Sequence, residues 1–94
     1  MDEPLSPSDA KRLLLAIIEH GNVGFSNHAL NEFNDEVPPL TAEDALNVLR
    51  GGVVEPGEFV NDSYRYRVRT TRMYIVVAFR SETEAVVITA WRKK

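Results

Sequence analysis

The chain contains no cysteine, so neither a disulfide framework nor a thiolate zinc site is open to it, and nothing points to an oxidising compartment. The cytoplasm is the default expectation. No apolar run approaches the roughly 20 residues that a membrane-spanning helix needs, and the opening MDEPLSPSDA has no apolar segment of signal-peptide length. Neither membrane insertion nor export is expected. Histidine is scarce as well. His20 and His28 are the only two, they flank the Gly21–Asn22 break, and they lack the i, i+4 spacing of a helical metal pair. Gly51–Gly52 has no lysine and Ser/Thr pair after it, so it reads as a helix stop and not as a phosphate loop. No metal and no cofactor are expected.

What the chain does carry is charge, unevenly placed. The formal net charge is -3, yet residues 1–62 hold three basic and twelve acidic side chains while residues 63–94 hold eight and two. A pI near 5.3 argues against non-specific polyanion binding by the whole molecule. The C-terminal third alone has the balance of a surface for nucleic acid or for an acidic partner. Paired acids such as Glu43–Asp44 and Asp35–Glu36 read as solvated charge at a helix start and in a loop. A length of 94 residues supports one domain over 1–94, with one modest core.

Hydrophobic spacing predicts helices first and strands after. Ala10, Leu13, Leu14, Ile17 and Ile18 fall on one helical stripe over Asp9 to His20. Ser6 is placed to cap that helix, with Pro7 at its first position and Gly21 as a left-handed stop. After a short extended piece around Val23 to Phe25, FSNHALNEF predicts a second helix capped by Ser26. Phe25 and Leu30 occupy staple positions across that cap. The Pro38–Pro39 pair ends it. A third helix opens at Thr41, with Asp44 completing a capping box and Gly51–Gly52 closing it. From Val53 the pattern changes to strands: Val53–Val54 with Phe59–Val60, then 64–70, 73–80 and 85–91. The expected class is α+β, with helices on one face of an antiparallel meander of about four strands. An edge near Val53 or Ala85 could pair with a second copy to give a homodimer.

SYRYRVRTTR, residues 63–72, holds four arginines. Alternation along a strand sends Arg65, Arg67 and Arg69 to one side and Tyr64, Tyr66 and Val68 to the other. Since the helices must bury the tyrosine and valine side, the guanidinium row faces away from the core. Arg80 on the next strand, with Arg92, Lys93 and Lys94 at the chain end, can extend it. A guanidinium fork matches phosphate and stays charged at any cellular pH. Such a stripe also serves plain solubility, or pairs with the acids of the first part.

FSNHALNEF, LTAEDALNVLRGG, the arginine-rich strand and the closing VVITAWRKK together resemble small bacterial domains with the signature H-A-x-x-R-M and a final T-x-[YW]-[RK]. Those domains are similar to the BrnT, MqsR and RelE toxins of type II toxin–antitoxin systems. The resemblance runs from about residue 23 to 94 as the toxin-like core, with residues 1–22 as an N-terminal helical extra. His28, Ala29, Gly51, Thr89, Trp91 and Arg92 match the signature, whereas Glu32 stands in place of its arginine and Phe33 in place of its methionine.

The resemblance implies a RelE-like fold and a metal-independent endoribonuclease, an mRNA interferase acting on RNA, free or on the ribosome. Its implied partner is a cognate acidic antitoxin protein. Such cleavage needs a base, cations for the phosphorane and an acid for the leaving oxygen. His28, Arg67, Arg80 and Tyr66 are the candidate catalytic residues, and Arg65, Arg69, Arg92 and Lys93 the candidate RNA ligands. Tyr64, Tyr74 and Trp91 could stack a base or donate a proton. A histidine on a short helix beside alanine and leucine is more often a packed side chain hydrogen-bonded to backbone. The alternative function is a non-catalytic protein- or nucleic-acid-binding module of the same fold.

Overall fold

The computed structural model describes residues 1–93, and Lys94 lies outside the described residues. Helix α1 spans Pro7–His20. The Ser6 hydroxyl accepts the Asp9 N–H at 3.2 Å, Pro7 occupies the first turn, and Ala10, Leu14 and Ile17 are buried. Gly21 stops the helix at φ −115°, so no left-handed residue is used. The glycine is required for another reason: a Cβ there would overlap the Thr83 carbonyl oxygen. That close approach lets the Asn22 N–H donate to the same carbonyl at 2.9 Å and starts strand β1, Asn22–Phe25.

Helix α2, Asn27–Asp35, is capped by Ser26, and α3, Ala42–Gly51, carries the Thr41–Asp44 capping box in full. Leu30 is exposed, and Phe25 packs edge-to-face on Phe33 at 5.7 Å in place of the expected staple. Strands β2 (Val53–Val54), β3 (Glu58–Val60), β4 (Ser63–Arg69), β5 (Met73–Ser81) and β6 (Glu84–Arg92) follow. The β3–β4 turn places Asn61 and Asp62 at φ 50° and 65°, a conformation that short polar side chains tolerate.

Among the described residues the fold is α+β with three helices, as expected, but its sheet has six strands and not about four, in the order β1-β6-β5-β4-β2 with β3 also on β4. Two features account for the difference. Glu55–Pro56–Gly57 splits the first predicted arm into β2 and β3, both paired with β4. The short piece before α2 joins the sheet as β1, parallel to β6, with Asn22 opposite Glu84 and Phe25 opposite Val87. Ala85 is therefore no edge. It is fully buried between β1 and β5, whereas Val53 lies on edge strand β2 and is exposed.

Helices α1 and α3 pack on each other and on the inner face, and α2 lies along β6. Tyr66, Val68, Ile75, Val77, Val87 and Ala90 point into one cluster with Leu14, Ile17 and Leu49. Each fully buried Leu or Ile contributes about 1.5–3 kcal/mol by leaving water. Lys11 ties the two helices together. Its ammonium donates to the carbonyls of Leu49, Arg50 and Gly52 at 2.9, 2.7 and 2.7 Å, and burial pushes it below its ordinary value. Where β1 ends, Glu32 of α2 and Glu36 just past it take over the open edge of β6: Glu32 accepts the Ala90 N–H at 3.1 Å and Glu36 the Arg92 N–H at 2.9 Å. Among the described residues no helix is long and apolar enough to cross a membrane.

Candidate functional site

The outer face of the sheet is set by the parity of three strands. On β4, Tyr66 and Val68 are fully buried under the helices, while Arg67 and Arg69 expose about half of their side chains (48% and 46%) on the other side. Arg65 shares that side and is half-buried. On β5, Tyr74 and Val76 lie opposite Arg69 and Arg67. On β6, a bulge changes the phase: Val76 pairs with Thr89 and Val77 with Val87, leaving Ile88 as the extra residue. Val87 and Ala90 are therefore buried inside, and Thr89 and Trp91 come to the outer face beside the arginines. The Ser26 hydroxyl, capping α2, donates to the Ile88 carbonyl at 2.8 Å and fixes the helix to the bulge.

The segment between β2 and β3 folds over this face as a wall. Gly57 in the same segment turns to the inner side, where a Cβ would stand 2.6 Å from Cε2 of the buried Tyr66 ring. A concavity of about 240 Å³ results. Glu55, Pro56, Glu58 and Val60 form its wall, Val76, Thr89 and Trp91 its floor, and Arg65 and Arg67 supply its cations. Trp91 stacks on Tyr74 with 5.1 Å between ring centroids. The Tyr74 ring also carries the Arg67 guanidinium at 4.9 Å and the Lys93 ammonium at 4.4 Å.

The stripe is not an unopposed row of charge. Glu55, from the acidic part of the chain, receives Nε of Arg67 at 2.8 Å and Nε of Arg69 at 3.0 Å on its two oxygens. This hydrogen bond and charge hold the Arg67 guanidinium above its ordinary range. One carboxylate thus engages two of the three guanidiniums through Nε, the pairing with an acid of the first part that the sequence left open. Arg65 makes no ion pair among the described residues, and its Nε is buried without a hydrogen-bond partner. A buried donor left unpaired costs roughly 1–3 kcal/mol.

No family model, curated protein or solved structure matches this chain.

Of the sequence-predicted residues, the concavity brings together Arg65 and Arg67, with Arg69 joined through Glu55 and Lys93 through Tyr74. Arg92 is drawn aside, donating to the Pro38 carbonyl at 2.6 Å and lying 3.8 Å from Glu36. Arg80 lies at the far end of β5 in a separate groove with Met1 and Glu82. Tyr66 is on the inner face, where its hydroxyl donates to Glu3 at 2.8 Å and accepts the Leu5 N–H at 2.9 Å. Burial pushes this phenol up to about 12; the Leu5 bond works against that and the Glu3 carboxylate adds to it.

His28 is not a packed side chain: 70% of it is exposed, 3.4 Å from Glu32. Glu32 in turn accepts the Thr89 hydroxyl, which leaves His28 behind the rim of the concavity. Sequence reasoning overlooked Glu55, Glu58 and Thr89 as site residues. Glu55 and Glu58 sit among the acids of the first part and reach the arginines only through strand register, Glu58 standing directly opposite Arg65.

Proposed function

We propose that the outer sheet face binds single-stranded RNA, and that the chain cleaves it as a metal-independent endoribonuclease of the RelE-like toxin class its sequence resembles. The observation that carries this reading is Arg65, an unpaired guanidinium in a concavity floored by the indole of Trp91. A cation next to a stacking platform is what single-stranded nucleic acid requires, since phosphate and base plane are bound at once. At about 240 Å³ the concavity is smaller than the roughly 300–1,000 Å³ of pockets for drug-sized ligands. One nucleotide unit of a longer strand suits it better than a whole small molecule.

The same groups support a balanced reaction. Glu55 takes the proton of a 2′-hydroxyl, the 2′-oxygen bonds to the adjacent phosphorus, and the bond from phosphorus to the 5′-oxygen breaks. Tyr74 returns a proton to that oxygen, giving a 2′,3′-cyclic phosphate and a 5′-hydroxyl. Protonating Glu55 cancels its hold on Arg67 and Arg69, so both forks become available as negative charge builds on the phosphorane. In this scheme Glu55 takes the part that the resemblance suggests for His28, which stands outside the concavity. A cytoplasmic antitoxin with acidic side chains would neutralise the protein by covering the same face.

A second reading, a non-catalytic binding module of this shape, is favoured by one observation: Glu55 already satisfies two of the forks. Incubating the purified protein with an end-labelled RNA separates the two. Cyclic-phosphate products that disappear in an Arg65/Arg67 double alanine variant support the enzyme. Binding with intact RNA supports a nucleic-acid-binding module, and absence of binding overturns both the enzyme and that module, leaving only a module for a protein partner. Induction in a bacterial host adds a cellular readout, with growth arrest expected from the wild type and lost in an Arg65/Arg67/Arg69 alanine variant.

A further inference from the structure

We propose that the RNA-binding surface continues beyond the concavity, past Lys93, into the groove between α3 and the β4–β5 turn, where Arg72 binds phosphate of the same strand. The proposal rests on the reading that the outer face takes RNA. The groove is open and about 770 Å³ in volume. Leu40, Val48 and Met73, all largely buried, give it an apolar floor, and Arg72, Lys93 and Arg92 line it with positive charge.

The path between the two sites is continuous. Lys93 donates its backbone N–H to the Arg72 carbonyl at 2.8 Å, so the residues lie side by side, while the Lys93 ammonium reaches back to within 4.4 Å of the Tyr74 ring centroid. Lys93 therefore borders both the groove and the aromatic pair of the outer face. Of the groove cations, Arg92 is committed to Pro38 and Glu36. Arg72 and Lys93 make no ion pair among the described residues. The one acid in the groove, Asp44, is turned to its own helix start, where it accepts the Thr41 N–H at 2.9 Å. Along the surface the unpaired cations run Arg65, Lys93, Arg72. That is a track for several consecutive phosphates, and it makes the ligand a strand of several nucleotides in place of a mononucleotide or a single phosphate.

The test compares 2′-O-methyl oligouridylates, which resist cleavage, as a dinucleotide and a dodecamer across a salt titration. Each phosphate contact on a single strand contributes about −0.7 to the slope of log K against log salt. For Arg72→Ala, the dodecamer slope should become shallower by about 0.7 and its affinity fall several-fold at low salt, with the dinucleotide unchanged. Arg65→Ala should weaken both lengths. Thr71→Glu, which adds a carboxylate beside the groove, provides a second variant and should also act on the dodecamer alone. If the groove variants match wild type on both lengths while Arg65→Ala weakens both, the groove proposal is wrong and the outer-face reading stands. Equal wild-type affinity for the two lengths, with no gain for the dodecamer, overturns it as well. Should the wild type bind neither oligonucleotide, the outer-face reading fails and takes this proposal with it.

Discussion

Glu55 accepts the Nε–H of Arg67 at 2.8 Å across the pairing of β2 with β4, and its other oxygen forms an ion pair with Arg69 at 3.0 Å. A carboxylate seated on two guanidiniums occupies the position a phosphate would take. Glu55→Gln should therefore strengthen RNA binding at low salt and steepen its salt slope by as much as about 1.4, the value for two further phosphate contacts. The same substitution removes the proposed base and should abolish cleavage. Tighter binding with cleavage retained would show that Glu55 is only a competitor for the forks. Because the pair is half-exposed, its loss should leave the denaturant midpoint close to that of the wild type.

His28 stands outside the concavity with most of its side chain in solvent. His28→Ala should leave both RNA affinity and cleavage rate within about twofold of wild type, a change below roughly 0.4 kcal/mol in barrier height. A loss of two orders of magnitude would return the proton-transfer role to this histidine. Product release from end-labelled RNA measures it.

Tyr66 links the core to the N-terminal segment through Glu3 and Leu5. Tyr66→Phe should cost about 1–2 kcal/mol at neutral pH, because the Leu5 N–H and the Glu3 carboxylate lose their partner. The sign with pH follows from the raised phenol. Its contribution is complete below about 10, the ordinary tyrosine value, and is lost as pH climbs from there toward about 12. Urea unfolding of both proteins across that range should show the wild-type advantage shrinking, while RNA binding at neutral pH stays unaffected in the variant.

Lys11 closes the C-terminal end of α3 by donating to three carbonyls. Desolvation of the ammonium prevails in its titration and holds it below its ordinary value, while the carbonyls it serves at the helix end would otherwise be left without this partner. Lys11→Met keeps the stem and removes the donors, so it should destabilise the protein by about 2 kcal/mol, as read from the denaturant midpoint. An unchanged midpoint would mean that water replaces the ammonium at no cost.

Much of this architecture is legible in the sequence because it depends on local rules. Ser6, Ser26 and Thr41 cap the helices as their spacing predicts, and two-residue alternation alone separates Arg67 and Arg69 from Tyr66 and Val68. What is not legible depends on distant pairing. The phase of Trp91 is undefined until the bulge at Ile88 is seen, since uninterrupted alternation would put Thr89 on the same side as the buried Val87. A four-residue strand such as β1 is too short for alternation to reveal, and only its parallel register with β6 makes it part of the sheet. Glu55 looks like one more acid of the first part until the β2–β4 pairing brings it to Arg67. Glu32, which departs from the signature arginine, has a structural task that charge alone does not suggest: it receives the Thr89 hydroxyl and the Ala90 N–H where β1 ends.

Trp91 is the only tryptophan in the chain and floors the concavity, so its fluorescence reports directly on a base entering there. Titrating a 2′-O-methyl oligouridylate at low salt should quench it saturably, with the quench lost in an Arg65/Arg67 double alanine variant and reduced by added salt. Emission that stays flat in the wild type at every concentration, with the fold intact by circular dichroism, would contradict the proposal that this face receives RNA.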